Sequence, residues 1–187
     1  MNTISEQALN QYAAYMREIL DRTAVIGRAL SKHREGSSLT GFRESDIELC
    51  FLQLRKCLEI VMFAALVAQY HSGVGLQSRL LNKEYNATKL MNYLRRVNPD
   101  FFPKAVKVFK KDGEAISRME DILGAMTQQE FAALYDQVCG PYLHASRRPA
   151  FVDKHDVLME KIRDSLTKLV LLLNSHWITL TAPNKTV

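Results

Sequence analysis

The stretch that most constrains this chain is "LEIVMFAALVAQY", residues 58 to 70, which is apolar on nearly every side of a helix drawn through it. A helix of that kind has no solvent face and has to be covered on several sides. Ile47, Cys50, Phe51, Leu54 and Leu58 recur at three and four ahead of it, so one helix is expected from about Glu44 to His71, at the centre of the fold. The apolar run is too short to span a bilayer, and Arg55, Lys56 and Glu59 stand at its start, so no membrane anchor is expected.

The other segments have to pack around that helix. Leu9, Tyr12, Met16, Ile19, Leu20, Ile26 and Leu30 form the stripe of a long amphipathic helix from Ser5 to about His33, stopped by "REGSSLTGF". Ala87 to Val97 predicts a third helix, broken by Pro99 and Pro103, each of which disfavours helix at the residue before it. Val106 and Val108 alternate with lysines ahead of a Lys-Asp-Gly-Glu turn, which predicts a small hairpin near 105–119; "DILGAM" beyond it reads as a turn of helix. Thr127 with Glu130 three residues on makes a capping box, opening a helix whose face of Phe131, Leu134, Tyr135 and Val138 runs toward Cys139. A last long helix starts near Asp153, and "HWITLT" after it alternates like a strand without an evident partner. The expected fold is all-α, a bundle of four to five main helices in a single domain spanning 1–187.

Composition narrows the function classes. Over 187 residues, 47% are hydrophobic and 24% charged, which excludes a disordered chain. A net charge of +5 favours an anionic partner, but Arg95 with Arg96, Lys110 with Lys111 and Arg147 with Arg148 are pairs, not tracts. Cys50 and Cys57 are two helical turns apart, about 10 Å along the axis, too far for a disulfide. Together with Cys139 they read as reduced, and an N-terminus without the pattern of a signal peptide agrees with a cytoplasmic protein. No glycine-rich phosphate loop, zinc-type Cys/His array or Glu-x-x-His pair is present, so neither cofactor nor metal is expected.

Chemistry is concentrated in "GPYLHASRRPAF", residues 140 to 151. His144 can exchange a proton near neutral pH, and Arg147 and Arg148 can hold phosphate bidentately, the parts needed for work on a phosphodiester. The competing reading is a histidine capping helix carbonyls beside two solvated arginines. Arg55 and Glu59 lie four apart on one face of the central helix, either as an ion pair at the rim of the core or as the lining of a groove. His71 and His176 read as interior or helix-end histidines. Tyr93, Phe101, Phe102 and Phe109 stand near basic residues, with core packing and base stacking as the two alternatives.

"LRKCLEIVMFAALVAQ", "NPDFFPKAV", "YLHASRRPAF" and "LLLNSHWITL", in that order and spacing, resemble segments of bacterial and phage helical proteins of the HEPN-like superfamily, over about residues 50 to 180. The resemblance implies a helical bundle that pairs two-fold, as a homodimer, around a shared polar cleft. It also implies a metal-independent ribonuclease of toxin–antitoxin or abortive-infection defence, in which Arg, four to six residues, then His assist attack of the 2′-hydroxyl on the adjacent phosphate. His144 departs from that motif, since Gln137, Val138 and Cys139 stand where its arginine would be; Arg28 with His33 and Arg148 with His155 have the spacing. The expectation is therefore an RNA-directed protein with His144, Arg147 and Arg148 as catalytic groups and Arg55 and Glu59 in support. Arg28, His33 and His155 are further candidates. The alternative is a non-catalytic interaction or neutralising module of the same fold, acting through a protein partner from the same operon.

Overall fold

The computed structural model describes residues 5–70, 86–111, 115–139, 142 and 154–180. Helix α1 spans Glu6–Arg34 and starts where the Ser5 side chain accepts the Ala8 N–H at 3.2 Å. It ends on Lys32, His33 and Arg34, basic residues at the negative end of the helix dipole, and Gly36 follows at φ 73, a conformation that favours glycine. Helix α2 spans Arg43–Tyr70. Arg22 donates to Gln53 at 2.9 Å and Tyr15 meets Phe63 further along, so α1 and α2 run antiparallel.

The connection between them is folded around one carboxylate. Asp46, buried in the first turn of α2, accepts from the Ser38 hydroxyl at 2.7 Å, the Leu39 N–H at 2.8 Å, the Thr40 N–H at 2.9 Å and the Thr40 hydroxyl at 2.8 Å. Burial alone would raise its pKa, but these hydrogen bonds outweigh that and hold it below the usual carboxylate range.

Helix α2 is the centre that its sequence requires: from Leu58 to Val67 every residue except Phe63 is buried. Helix α3, Ala87–Val97, is capped by Asn86 and buries Ala87, Leu90, Met91 and Leu94. Strands β1, Lys104–Lys111, and β2, Ala115–Asp121, form the expected hairpin. After a glycine turn at Gly124, where "DILGAM" forms no helix, Thr127 and Glu130 make the capping box of α4, Gln128–Ala133. The chain continues directly into a π-turn, Leu134–Cys139. Helix α5 spans His155–Asn174, and β3 is His176–Trp177.

The all-α expectation is corrected by the sheet. "HWITLT" has a partner: β3 pairs antiparallel with β1, Lys104 opposite Trp177 and Ala105 opposite His176, which gives the order β2-β1-β3. The protein is mostly helical with a small three-stranded antiparallel sheet. A buried amide knot secures this end: Asn98 donates to the Thr179 carbonyl at 2.8 Å and to Gln69 at 3.3 Å, and Gln69 donates to the same carbonyl at 2.8 Å. These bonds satisfy polar groups that would otherwise be costly in the core. Among the described residues no helix is long and apolar enough to cross a membrane.

Candidate functional site

His144, Arg147 and Arg148 lie outside the described residues, as does His71. The structure does describe the ground on both sides of residues 143–153. On one side Tyr142 stacks on the fully buried Phe51, ring centroids 4.4 Å apart and planes 11° from parallel. On the other, α5 opens at His155.

Arg55 and Glu59 are brought together with a third residue from the π-turn. The Arg55 Nε is 3.3 Å from Glu59 Oε1, and its Nη2 donates to the Tyr135 hydroxyl at 2.8 Å. That hydroxyl donates in turn to Glu59 Oε1 at 3.1 Å. Lys56 Nζ holds the other carboxylate oxygen at 3.2 Å. The guanidinium carbon is also 4.1 Å from the Tyr135 ring centroid, so the arginine touches both the ring and its hydroxyl. Tyr135 is 2% exposed and Glu59 8%. Burial pushes the phenol up to about 12, against the pull of the Ala87 backbone N–H. The network sits where the helix widens from α to π, a local distortion that is frequent at functional sites.

Sequence reasoning found two members of this triad and missed Tyr135, which was read only as part of an apolar face. The signal was there: a tyrosine on a buried stripe needs a partner for its hydroxyl, and the only charges in the central helix after Glu48 are Arg55, Lys56 and Glu59.

A second cluster forms where three helix ends meet. His33 Nε2, in the last turn of α1, is 3.1 Å from Asp156 in the first turn of α5, and His155 Nε2 is 3.0 Å from Glu44 at the start of α2. Basic side chain at a C-terminus and acidic side chain at an N-terminus each complement the helix dipoles. Two of the candidate histidines thus converge, yet each is held by a carboxylate, and His33 Nδ1 is buried without a partner. Arg28 does not join them. It is exposed, and five residues from His33 on one helix places it about 140° around the axis.

The remaining candidates are accounted for by packing. His176 Nδ1 donates to the Leu173 carbonyl at 3.0 Å, leaving Nε2 to accept from the Tyr12 hydroxyl; burial lowers the histidine pKa and keeps the ring neutral. Phe101 and Phe102 are core residues and Tyr93 packs against that core, whereas Phe109 stands outside it. Burial pushes each of the free thiols of Cys50, Cys57 and Cys139 up to about 12, which leaves them unreactive. Among the described residues no group of three or more His, Cys, Asp or Glu is placed to hold a metal. Comparison of the chain with protein-family models, with curated proteins and with solved structures gives no match.

Proposed function

We propose that the protein is an RNA-directed member of the HEPN-like group, a metal-independent ribonuclease in a bacterial or phage defence or toxin–antitoxin setting, with His144, Arg147 and Arg148 acting on a phosphodiester. The observation that carries this reading is the Arg55–Glu59–Tyr135 network. A buried ion pair is weak support for stability, since well-packed apolar residues of similar volume often do as well. This one is instead fixed to the turn that ends at Cys139, one residue before Gly140 opens the His/Arg segment. The network therefore fixes the chain up to Cys139, immediately ahead of the His/Arg segment in sequence.

In this mechanism the RNA supplies its own nucleophile. The 2′-hydroxyl attacks the adjacent phosphorus, its proton passes to a base, and the bond to the 5′-oxygen of the next nucleotide breaks as that oxygen is protonated. His144 exchanges the proton, and Arg147 and Arg148 neutralise the charge that builds on the non-bridging oxygens. The products are a 2′,3′-cyclic phosphate and a 5′-hydroxyl, with no external reactant.

The test is RNA cleavage in the presence of chelator by the wild-type protein and by His144→Ala, with analysis of product ends. Cleavage to cyclic phosphate ends, lost in a folded variant, is the expected result. Equal cleavage by His144→Ala overturns the assignment of that residue. Cleavage by neither protein favours a second reading, an interaction module that binds a partner protein. Phe42, 70% exposed, and Val157, 68% exposed, support that reading, because they adjoin Glu44 and Asp156 at the junction of helix ends and leave apolar surface there in water.

A further inference from the structure

We infer that the β1–β2 ribbon is a binding surface for single-stranded RNA, with Phe109 as the platform on which a base stacks and Lys107 and Arg118 as its phosphate contacts. The inference rests on the RNA-directed reading above and adds the surface that holds the strand.

Strand β1, "KAVKVFKK", has four lysines in eight residues and no acid. Its inner end is anchored: Ala105 and Val106 are buried, Val106 N–H donates to the Ser175 carbonyl at 2.9 Å, and Ile122 N–H donates to Ala105 at 3.0 Å. Beyond Val106 the ribbon leaves the core. In its register Phe109 lies opposite Arg118 and Lys107 opposite Glu120, so these four side chains share one face. The opposite face carries Val108 and Met119, and a bulge after Phe109 places Ile116 there as well, opposite Lys110. All three apolar side chains are exposed, so among the described residues neither the core nor a neighbouring element claims this part of the ribbon.

Phe109 is not a core residue, and what covers it is charge. The Arg118 guanidinium carbon is 4.5 Å from the ring centroid and Lys107 Nζ is 4.9 Å from it. An exposed contact of this kind is worth roughly two- to five-fold in an equilibrium constant, whereas a base stacked on an aromatic ring contributes roughly five- to 150-fold in affinity. An incoming base therefore displaces a cation from the ring, and the displaced cation is left beside the nucleotide's phosphate. Glu120, 2.9 Å from Arg118, is the one carboxylate on this face among the described residues. The pair is exposed on both sides and correspondingly weak, so it yields to phosphate. Stacking on a ring needs an unstacked base, which selects single strands over duplex.

The experiment measures affinity of the full chain for a fluorescent 2′-O-methyl oligouridylate of about 12 nucleotides, a probe that lacks the 2′-hydroxyl and so cannot be cleaved by its own attack. Far-UV circular dichroism checks that each variant is folded. Phe109→Ala is expected to weaken binding by roughly ten-fold or more and Phe109→Trp to restore it. Lys107→Gln with Arg118→Gln is expected to lower the slope of log affinity against log salt by about 1.4, two phosphate contacts on a single strand. Met119→Gln, on the other face, is expected to bind as wild type. Wild-type affinity in Phe109→Ala overturns the ribbon and leaves the RNA-directed reading standing. Equal loss in Met119→Gln moves the contact to the apolar face and overturns the stacking role. No binding by the wild-type protein overturns both.

Discussion

Tyr135 and Phe109 each carry an arginine over the ring, at 4.1 Å and 4.5 Å, and the two pairs behave as opposites. Arg55 is also bonded to the tyrosine hydroxyl and to a buried carboxylate, in a place largely shielded from water. Arg118 and its Glu120 partner face solvent, where water, salt or phosphate can replace either contact. The same pairing is a lock in the interior and an exchangeable contact on the ribbon. Desolvation, not distance, makes the difference.

The largest effect that would break this comparison is on the locked side. Arg55→Ala leaves the buried Glu59 with the Tyr135 hydroxyl and the half-exposed Lys56 in place of its guanidinium partner, and a loss of about 3 kcal/mol in denaturant unfolding is expected. Most of that loss should be recovered in Arg55→Met with Glu59→Leu, because the cost comes from a buried carboxylate that has lost its guanidinium partner. Asp46→Ala removes four bonds from the α1–α2 connection and is expected to cost about 2–3 kcal/mol. Tyr135→Phe loses only the bridging hydroxyl and should cost about 1–2 kcal/mol.

Acid sharpens the contrast, because its effect depends on groups that the interior has shifted. His176 is held neutral by burial, so its folded pKa lies below its unfolded value of 6.5. The unfolded chain binds the proton first, and stability is expected to fall as pH drops below about 6.5. The Asp46 carboxyl, depressed by its hydrogen bonds, contributes stability above the ordinary aspartate value of 3.8 that is lost at lower pH as the folded carboxyl takes its proton. Unfolding curves measured from pH 7 down to about pH 3 should show the two losses in that order, with the upper one reduced in Tyr12→Phe/His176→Phe. The smallest effect is on the ribbon: Lys107→Gln with Arg118→Gln should change stability by less than about 0.5 kcal/mol.

The helices were legible because their signal is local. The apolar run 58–67, the stripe of α1 and the Thr127–Glu130 capping box each specify an element within a few residues of chain. β3 was not legible in the same way. Two residues at 176–177 become a strand only because β1, about seventy residues earlier in the chain, offers an edge, and no local pattern records that partner. The same limit applied to the candidate site. Arg55 and Glu59 share a helix face and could be paired from spacing, whereas Tyr135 reaches them across eighty residues and declares itself only through the need of a buried hydroxyl for a bond. The convergence of His33 and His155 was hidden for that reason too: each was read with an arginine near it in sequence, while the structure gives each a carboxylate from another helix. Asn98 and Phe101 of the "NPDFFP" segment turn out to serve the amide knot and the core.

The most direct measurement of the account is ultraviolet crosslinking of the full chain to a single-stranded uridine-rich RNA, with the crosslinked peptides identified by mass. The account predicts crosslinks in the Lys107–Arg118 ribbon, lost in Phe109→Ala, and none at Tyr135. Crosslinks at Tyr135 with the ribbon untouched would contradict it, since the network taken here as a closed lock would then be the surface that opens to RNA.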